Sequence, residues 1–122
     1  MATVVLIDYP LAVRRALRAR LSLEPDVDIV GEADDAAQGL SLAQVLDPSI
    51  VVLDAETPDL DAPAVVRSLV DQDPTRAVIV LSQHTAAMRQ TLTGTPAVVV
   101  GKHQGLTGLV GAIRGAIAVR SA

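Results

Sequence analysis

The chain contains no cysteine, tryptophan or phenylalanine, and its only aromatic residue is Tyr9. Without thiols it can form no disulfide, thiolate metal site or cysteine nucleophile. With a single aromatic it has no set of rings on which successive nucleic-acid bases could stack. No basic cluster stands in for them, since ten Lys and Arg face fourteen Asp and Glu, for a net charge of −4. Direct nucleic-acid binding by this segment is therefore not expected. Long apolar runs are also missing. The first, Val4 to Ile7, ends at Asp8 and is too short for a signal peptide or a membrane span, so a cytoplasmic location without membrane contact is expected. There is no glycine-rich phosphate loop to cradle a nucleotide. Repeats, low-complexity tracts and linkers are absent too, and residues 1–122 read as a single domain.

What the chain does have is a regular alternation. Half of its residues are apolar. Four continuous runs, Val4–Ile7, Ile50–Leu53, Ala77–Leu81 and Ala97–Val100, read as strands covered on both faces. A weaker run, Asp28 to Gly31, reads as an edge strand. Helical spacing lies between them. The first helix presents Val13, Leu17 and Leu21 to a core and Arg14, Arg15 and Arg18 to water. The second starts at Asp34 or Asp35, carries Leu40, Ala43 and Leu46, and stops before Pro48. The third starts near Asp61 with Pro63 in its first turn. A short fourth covers about residues 85–92 and a fifth about 106–120. Strict alternation implies right-handed crossovers, a parallel sheet and a three-layer α/β sandwich. In such a core Leu53 and Val80 should be fully buried.

Ligands in such sheets sit at the carboxyl ends of the strands. Asp8 follows the first strand, Asp54 the third and Ser82 the fourth, while Lys102 comes two residues after the fifth. Two carboxylates, a hydroxyl and an ammonium on one edge suit an anion together with a divalent cation. A carboxylate placed there can also be the nucleophile that takes a phosphoryl group.

Ile7-Asp8-Tyr9-Pro10, Val52-Leu53-Asp54 with Pro58, Val80-Leu81-Ser82 and Val100-Gly101-Lys102 resemble the receiver domain of bacterial two-component response regulators, over essentially the whole chain. The resemblance implies a flavodoxin-like receiver fold with a five-stranded parallel sheet in the order 2-1-3-4-5. It implies that Asp54 is the phosphoacceptor, served by a histidine kinase or phosphotransfer protein. It implies that Ser82 hydrogen-bonds the phosphoryl group and that Lys102 pairs with it. Asp8, Asp54 and the backbone carbonyl of Glu56 would hold Mg²⁺. No enzymatic activity is implied beyond phosphorylation and dephosphorylation of Asp54 itself.

Departures from the family pattern are specific. Tyr9 stands where a second acid is usual, and a phenol is a poor substitute for a carboxylate ligand, so weak Mg²⁺ binding is expected. Val99 replaces the usual aromatic of the fifth strand, Gly101 an apolar residue, and Ala62-Pro63 a glycine after Asp61. The stretch between Ser82 and Lys102 is about two residues short. These features keep a second reading open, a pseudo-receiver serving as a phosphate-independent docking or dimerisation module. A small phosphatase using Asp54 is a third, disfavoured by the lack of any motif around Glu56. The Glu56 side chain itself reads as solvent-facing, and His84 and His103 read as surface residues. On the fifth helix, Leu106, Leu109, Val110, Ile113 and Ile117 gather on the core side. The opposite side carries Gly108, Gly111, Ala112, Gly115 and Val119, a smooth face suited to a homodimer or effector contact.

Overall fold

The computed structural model describes residues 1–121, with the side chain of Ser121 left aside. Five strands alternate with five helices: β1 (Ala2–Ile7), α1 (Leu11–Leu21), β2 (Val27–Ala33), α2 (Ala36–Leu46), β3 (Ile50–Asp54), α3 (Ala62–Gln72), β4 (Ala77–Ser82), α4 (Thr85–Thr91), β5 (Val98–Gly101) and α5 (Gly105–Ser121). All strand pairs are parallel and their order is β2-β1-β3-β4-β5. This is the flavodoxin-like architecture expected from the sequence. β2 is indeed at an edge, and its register with β1 shifts by one residue between Val4 and Val5.

The period-2 geometry of the strands splits the core into two layers. Val5, Ile7, Val51, Leu53, Val78 and Val80 face α2 and α3, where Ala43, Val65, Val66 and Leu69 meet them. Val4, Leu6, Ile50, Val52, Ile79 and Leu81 face α1 and α5, where Leu17, Leu21, Leu109 and Ile113 meet them. Leu53 and Val80 are fully buried. Gly39 of α2 lies so close to β1 that a Cβ there would come within 2.4 Å of the Ile7 Cδ1 atom.

Side-chain caps set the starts of α2 and α3. The side chain of Asp35 accepts from the Gln38 N–H and that of Asp61 from the Ala64 N–H. At the amino edge of the sheet Arg76 is buried, with its side chain only 1% exposed. Its guanidinium donates to the carbonyls of Pro48, Leu69 and Ala43 and to the side chains of Gln72 and Asp47. One side chain thus ties off the carboxyl ends of α2 and α3.

Three expectations need correction. Val13 is 43% exposed rather than part of the core, because it lines the open cleft beside the site together with Pro10 and Leu17. Arg14 does not simply face water; its Nη1 donates to the carbonyls of Asp8 and Tyr9 at 2.6 and 3.1 Å, and its Nε lies 3.4 Å from Glu32. On α5 the smooth outer face is narrower than its helical projection suggests. Ala112 packs against the core, and a Cβ on Gly108 would meet Gln104, whereas Gly111 and Gly115 face open space.

Candidate functional site

The carboxyl edge of the sheet brings Asp8, Asp54, Ser82 and Lys102 together, and β5 runs to Gly101, so Lys102 follows it directly. A short 3₁₀ turn, Lys102–Gln104, then leads into α5. Gly101 matters here because a side chain would collide with the His103 ring at 2.3 Å. The Gln104 side chain accepts from the Gly101 N–H and holds the turn. The ammonium of Lys102 lies 2.7 Å from Asp54 Oδ1 and 3.1 Å from Glu56 Oε1. Burial pulls its pKa down, but hydrogen bonds and charge from Asp54 and Glu56 outweigh that and hold it above the ordinary lysine value.

Asp54 ends β3 and is 5% exposed. Its Oδ1 also accepts from the Glu56 N–H at 2.9 Å, an Asx turn that fixes the start of the following loop. Asp8 is buried beside it, and Oδ1 of Asp8 has no hydrogen-bond partner. Burial, then a hydrogen bond to Asp54 and the charge of Asp54, push the Asp8 carboxyl up to about 7, against smaller opposing effects of Lys102 and Arg14. Two adjacent carboxylates with one unsatisfied oxygen are the donor chemistry of a hard cation. Among the described residues no third acid joins them as a metal cluster. Tyr9 is 57% exposed. The residues present therefore fit a divalent cation held by these two carboxylates rather than by three.

Glu56 is exposed, as expected, but its carboxylate is not free in solvent. Its Oε2 accepts from the Ser82 hydroxyl at 3.0 Å, and its Oε1 accepts from the Gln83 N–H at 2.8 Å. The Asx turn at Asp54 directs the chain so that the residue two positions on reaches the end of β4. Ser82 also accepts from the His84 N–H, which orders the entrance to α4. Neither this use of Glu56 nor the part of the Gln83 amide was foreseen. The available signal was an acid two residues after Asp54, in register with Ser82 and Lys102. His84 and His103 are exposed, as expected. A cleft of about 350 Å³ opens beside the site, with Asp8, Asp54 and Lys102 at one end and Leu17, Leu106 and Leu109 along its wall.

Residues 4–113 match the family model described as the response regulator receiver domain. The chain belongs to that family. Among curated relatives, this receiver is 32% identical over 81 residues to the nitrate/nitrite response regulator protein NarL of Escherichia coli, covering 66% of this chain and 38% of that protein. It is 31% identical over 109 residues to the DNA-binding transcriptional activator DevR/DosR of Mycobacterium tuberculosis, covering 87% of this chain and 50% of that one. The receiver thus spans half or less of these relatives' lengths. Among solved structures it is similar to the signal receiver domain of the putative response regulator NarL from Mycobacterium tuberculosis. That match has a TM-score of 0.80 and 29% identity, and covers 93% of this chain and 94% of that one. A two-component response regulator of the LuxR family from Aurantimonas superposes with a TM-score of 0.84 at 26% identity, covering 97% and 86%. Among the described residues no helix of the receiver is long and apolar enough to cross a membrane.

Proposed function

We propose that this receiver accepts a phosphoryl group on Asp54 from the phosphohistidine of a cytoplasmic histidine kinase or phosphotransfer protein. The observation that carries this reading is the direct contact of the Lys102 ammonium with Asp54 Oδ1 at 2.7 Å, beside the buried Asp8. A carboxylate oxygen of Asp54 attacks the phosphorus, and the P–N bond breaks. Its electron pair returns to the imidazole, which takes up a proton, and Asp54 becomes an acyl phosphate. Lys102 offsets the negative charge gathering on the transferred group, and the Ser82 hydroxyl can donate to one of its oxygens.

Asp8, Asp54 and the Glu56 carbonyl would hold Mg²⁺, which supplies further charge neutralisation at the phosphoryl oxygens when bound. With Tyr9 in place of an acid, that affinity is weak. The chemistry of the chain is confined to its own Asp54. The outer face of α5 around Gly111, Gly115 and Val119 would serve as the homodimer or effector contact. The pseudo-receiver reading draws support from one observation, the engagement of Ser82 and Lys102 by Glu56.

The deciding experiment treats the receiver with acetyl phosphate, with and without Mg²⁺, and follows the mass of intact protein and of peptides. A phosphoryl adduct on Asp54 is expected, lost in Asp54→Asn and faster to form in Tyr9→Asp. No adduct under any condition, including Tyr9→Asp, would favour the phosphate-independent module.

A further inference from the structure

Glu56 engages the donors that a phosphoryl group on Asp54 would need. The Ser82 hydroxyl, the Gln83 N–H and the Lys102 ammonium come from the end of β4, the loop beyond it and the turn after β5. The Glu56 carboxylate gathers all three at 3.0, 2.8 and 3.1 Å. It also shares its ammonium with Asp54. We infer that Glu56 is a resident anion in the phosphoryl seat of this receiver, which must leave before Asp54 can be loaded; this rests on Asp54 being the acceptor.

Charge and geometry both support displacement over sharing. Three carboxylates, those of Asp8, Asp54 and Glu56, already surround the site, and the one ammonium in contact is divided between two of them. A phosphoryl group would bring further negative charge and three acceptor oxygens to the same donors. Like charges at such spacing disfavour joint occupancy. The backbone of Glu56 is pinned by its N–H to Asp54, so its side chain has to do the moving. That side chain is 30% exposed and has water to swing into. Together with Tyr9, this changes where the third acid sits. Glu56 is the third carboxylate, and its contacts are with the serine and lysine.

Trifluoroberyllate, formed from beryllium chloride and fluoride, is the probe, because it occupies the phosphoryl seat without a transfer step. Its dissociation constant is measured by ¹⁹F NMR at fixed Mg²⁺ for wild type, Glu56→Gln and Glu56→Ala. The Gln83 amide signal is recorded in the same proteins without probe or metal. The expected result is a shifted Gln83 amide in both variants, and binding at least about tenfold tighter in Glu56→Ala than in wild type. Glu56→Gln should fall between them, having kept its shape and lost its charge. Equal affinity in wild type and Glu56→Ala overturns the inference and leaves Asp54 as acceptor. An unmoved Gln83 amide overturns it as well. Absence of binding in all three proteins, with the amide shifted, overturns the acceptor reading itself and the inference with it.

Discussion

Replacing Arg76 by methionine tests whether the amino edge of the sheet is held by a single side chain. The substitution keeps much of the buried volume and removes the guanidinium. The carbonyls of Ala43 and Leu69 would keep their helical partners, the N–H groups of Asp47 and Asp73. The Pro48 carbonyl would lose the Arg76 Nε–H at 3.0 Å. A buried carbonyl left without a partner costs about 1–3 kcal/mol, and charge-assisted bonds to the other two carbonyls add to that. Relief from burying the guanidinium offsets part of the sum. The net expectation is a loss of about 2–4 kcal/mol from a domain stability of about 5–15 kcal/mol. Urea unfolding followed by circular dichroism reads it as a lowered midpoint at unchanged slope. Asp47→Asn is the internal control. The Asp47 side chain is 74% exposed, so its ion pair with Arg76 contributes at most about 1 kcal/mol. A methionine variant within about 1 kcal/mol of wild type would refute the capping argument. So would an Asp47→Asn variant that is equally destabilised, since the ion pair and not the carbonyl caps would then be the source of stability.

The remaining expectations concern charge and glycine. Asp8 has its folded-state carboxyl raised to about 7 from an ordinary 3.8, so its contribution is complete below about pH 4 and is lost as pH rises through 7. Chelator-treated wild type should therefore lose stability on the order of a few kcal/mol between pH 4 and 8. Asp8→Asn should flatten that slope and be the more stable protein at pH 8; parallel slopes in urea titrations would contradict this. Gly39→Ala should destabilise by about 1–3 kcal/mol, because the new methyl meets Ile7 at 2.4 Å in a filled core. Gly111→Ala and Gly115→Ala, where a Cβ meets nothing within 4 Å, should each stabilise by about 0.5–1 kcal/mol. Thermal melts that rank Gly39→Ala with the two α5 variants would refute the packing difference.

The fold was legible in the sequence because four of its strands are continuous apolar runs and α2 and α3 begin at recognisable caps. Both signals are local. Asp54, Ser82 and Lys102 could be located because a parallel sheet converts position after a strand into position in space. Side-chain direction in loops follows no such rule. Glu56 therefore reads as a surface acid, which it is, while the reach of its carboxylate to Ser82 and Lys102 shows only in the structure. Arg76 eluded the sequence for the opposite reason, since an arginine before a strand gives no hint that carbonyls from the ends of two helices and the loop at Pro48 surround it. Val13 shows the limit of periodicity, which fixes a helix face but not how far along the helix the core extends.

The two rims of the sheet are held by different chemistry. At the amino rim, Arg76 satisfies main-chain carbonyls, while Ser49 and Thr3 exchange hydrogen bonds between side chain and backbone. At the carboxyl rim, the ties converge on ionised side chains, with Lys102 paired to Asp54 and Glu56 and with backbone N–H groups and the Ser82 hydroxyl donating to those two carboxylates. Strands of five or six residues keep the rims about 15–20 Å apart, a distance at which substitutions usually add independently. The carboxyl rim can then be re-engineered as an anion receptor, a cation site or an inert dock, with the main-chain clamps of the other rim left intact. Such thermodynamic insulation would let one scaffold exchange its chemistry one residue at a time.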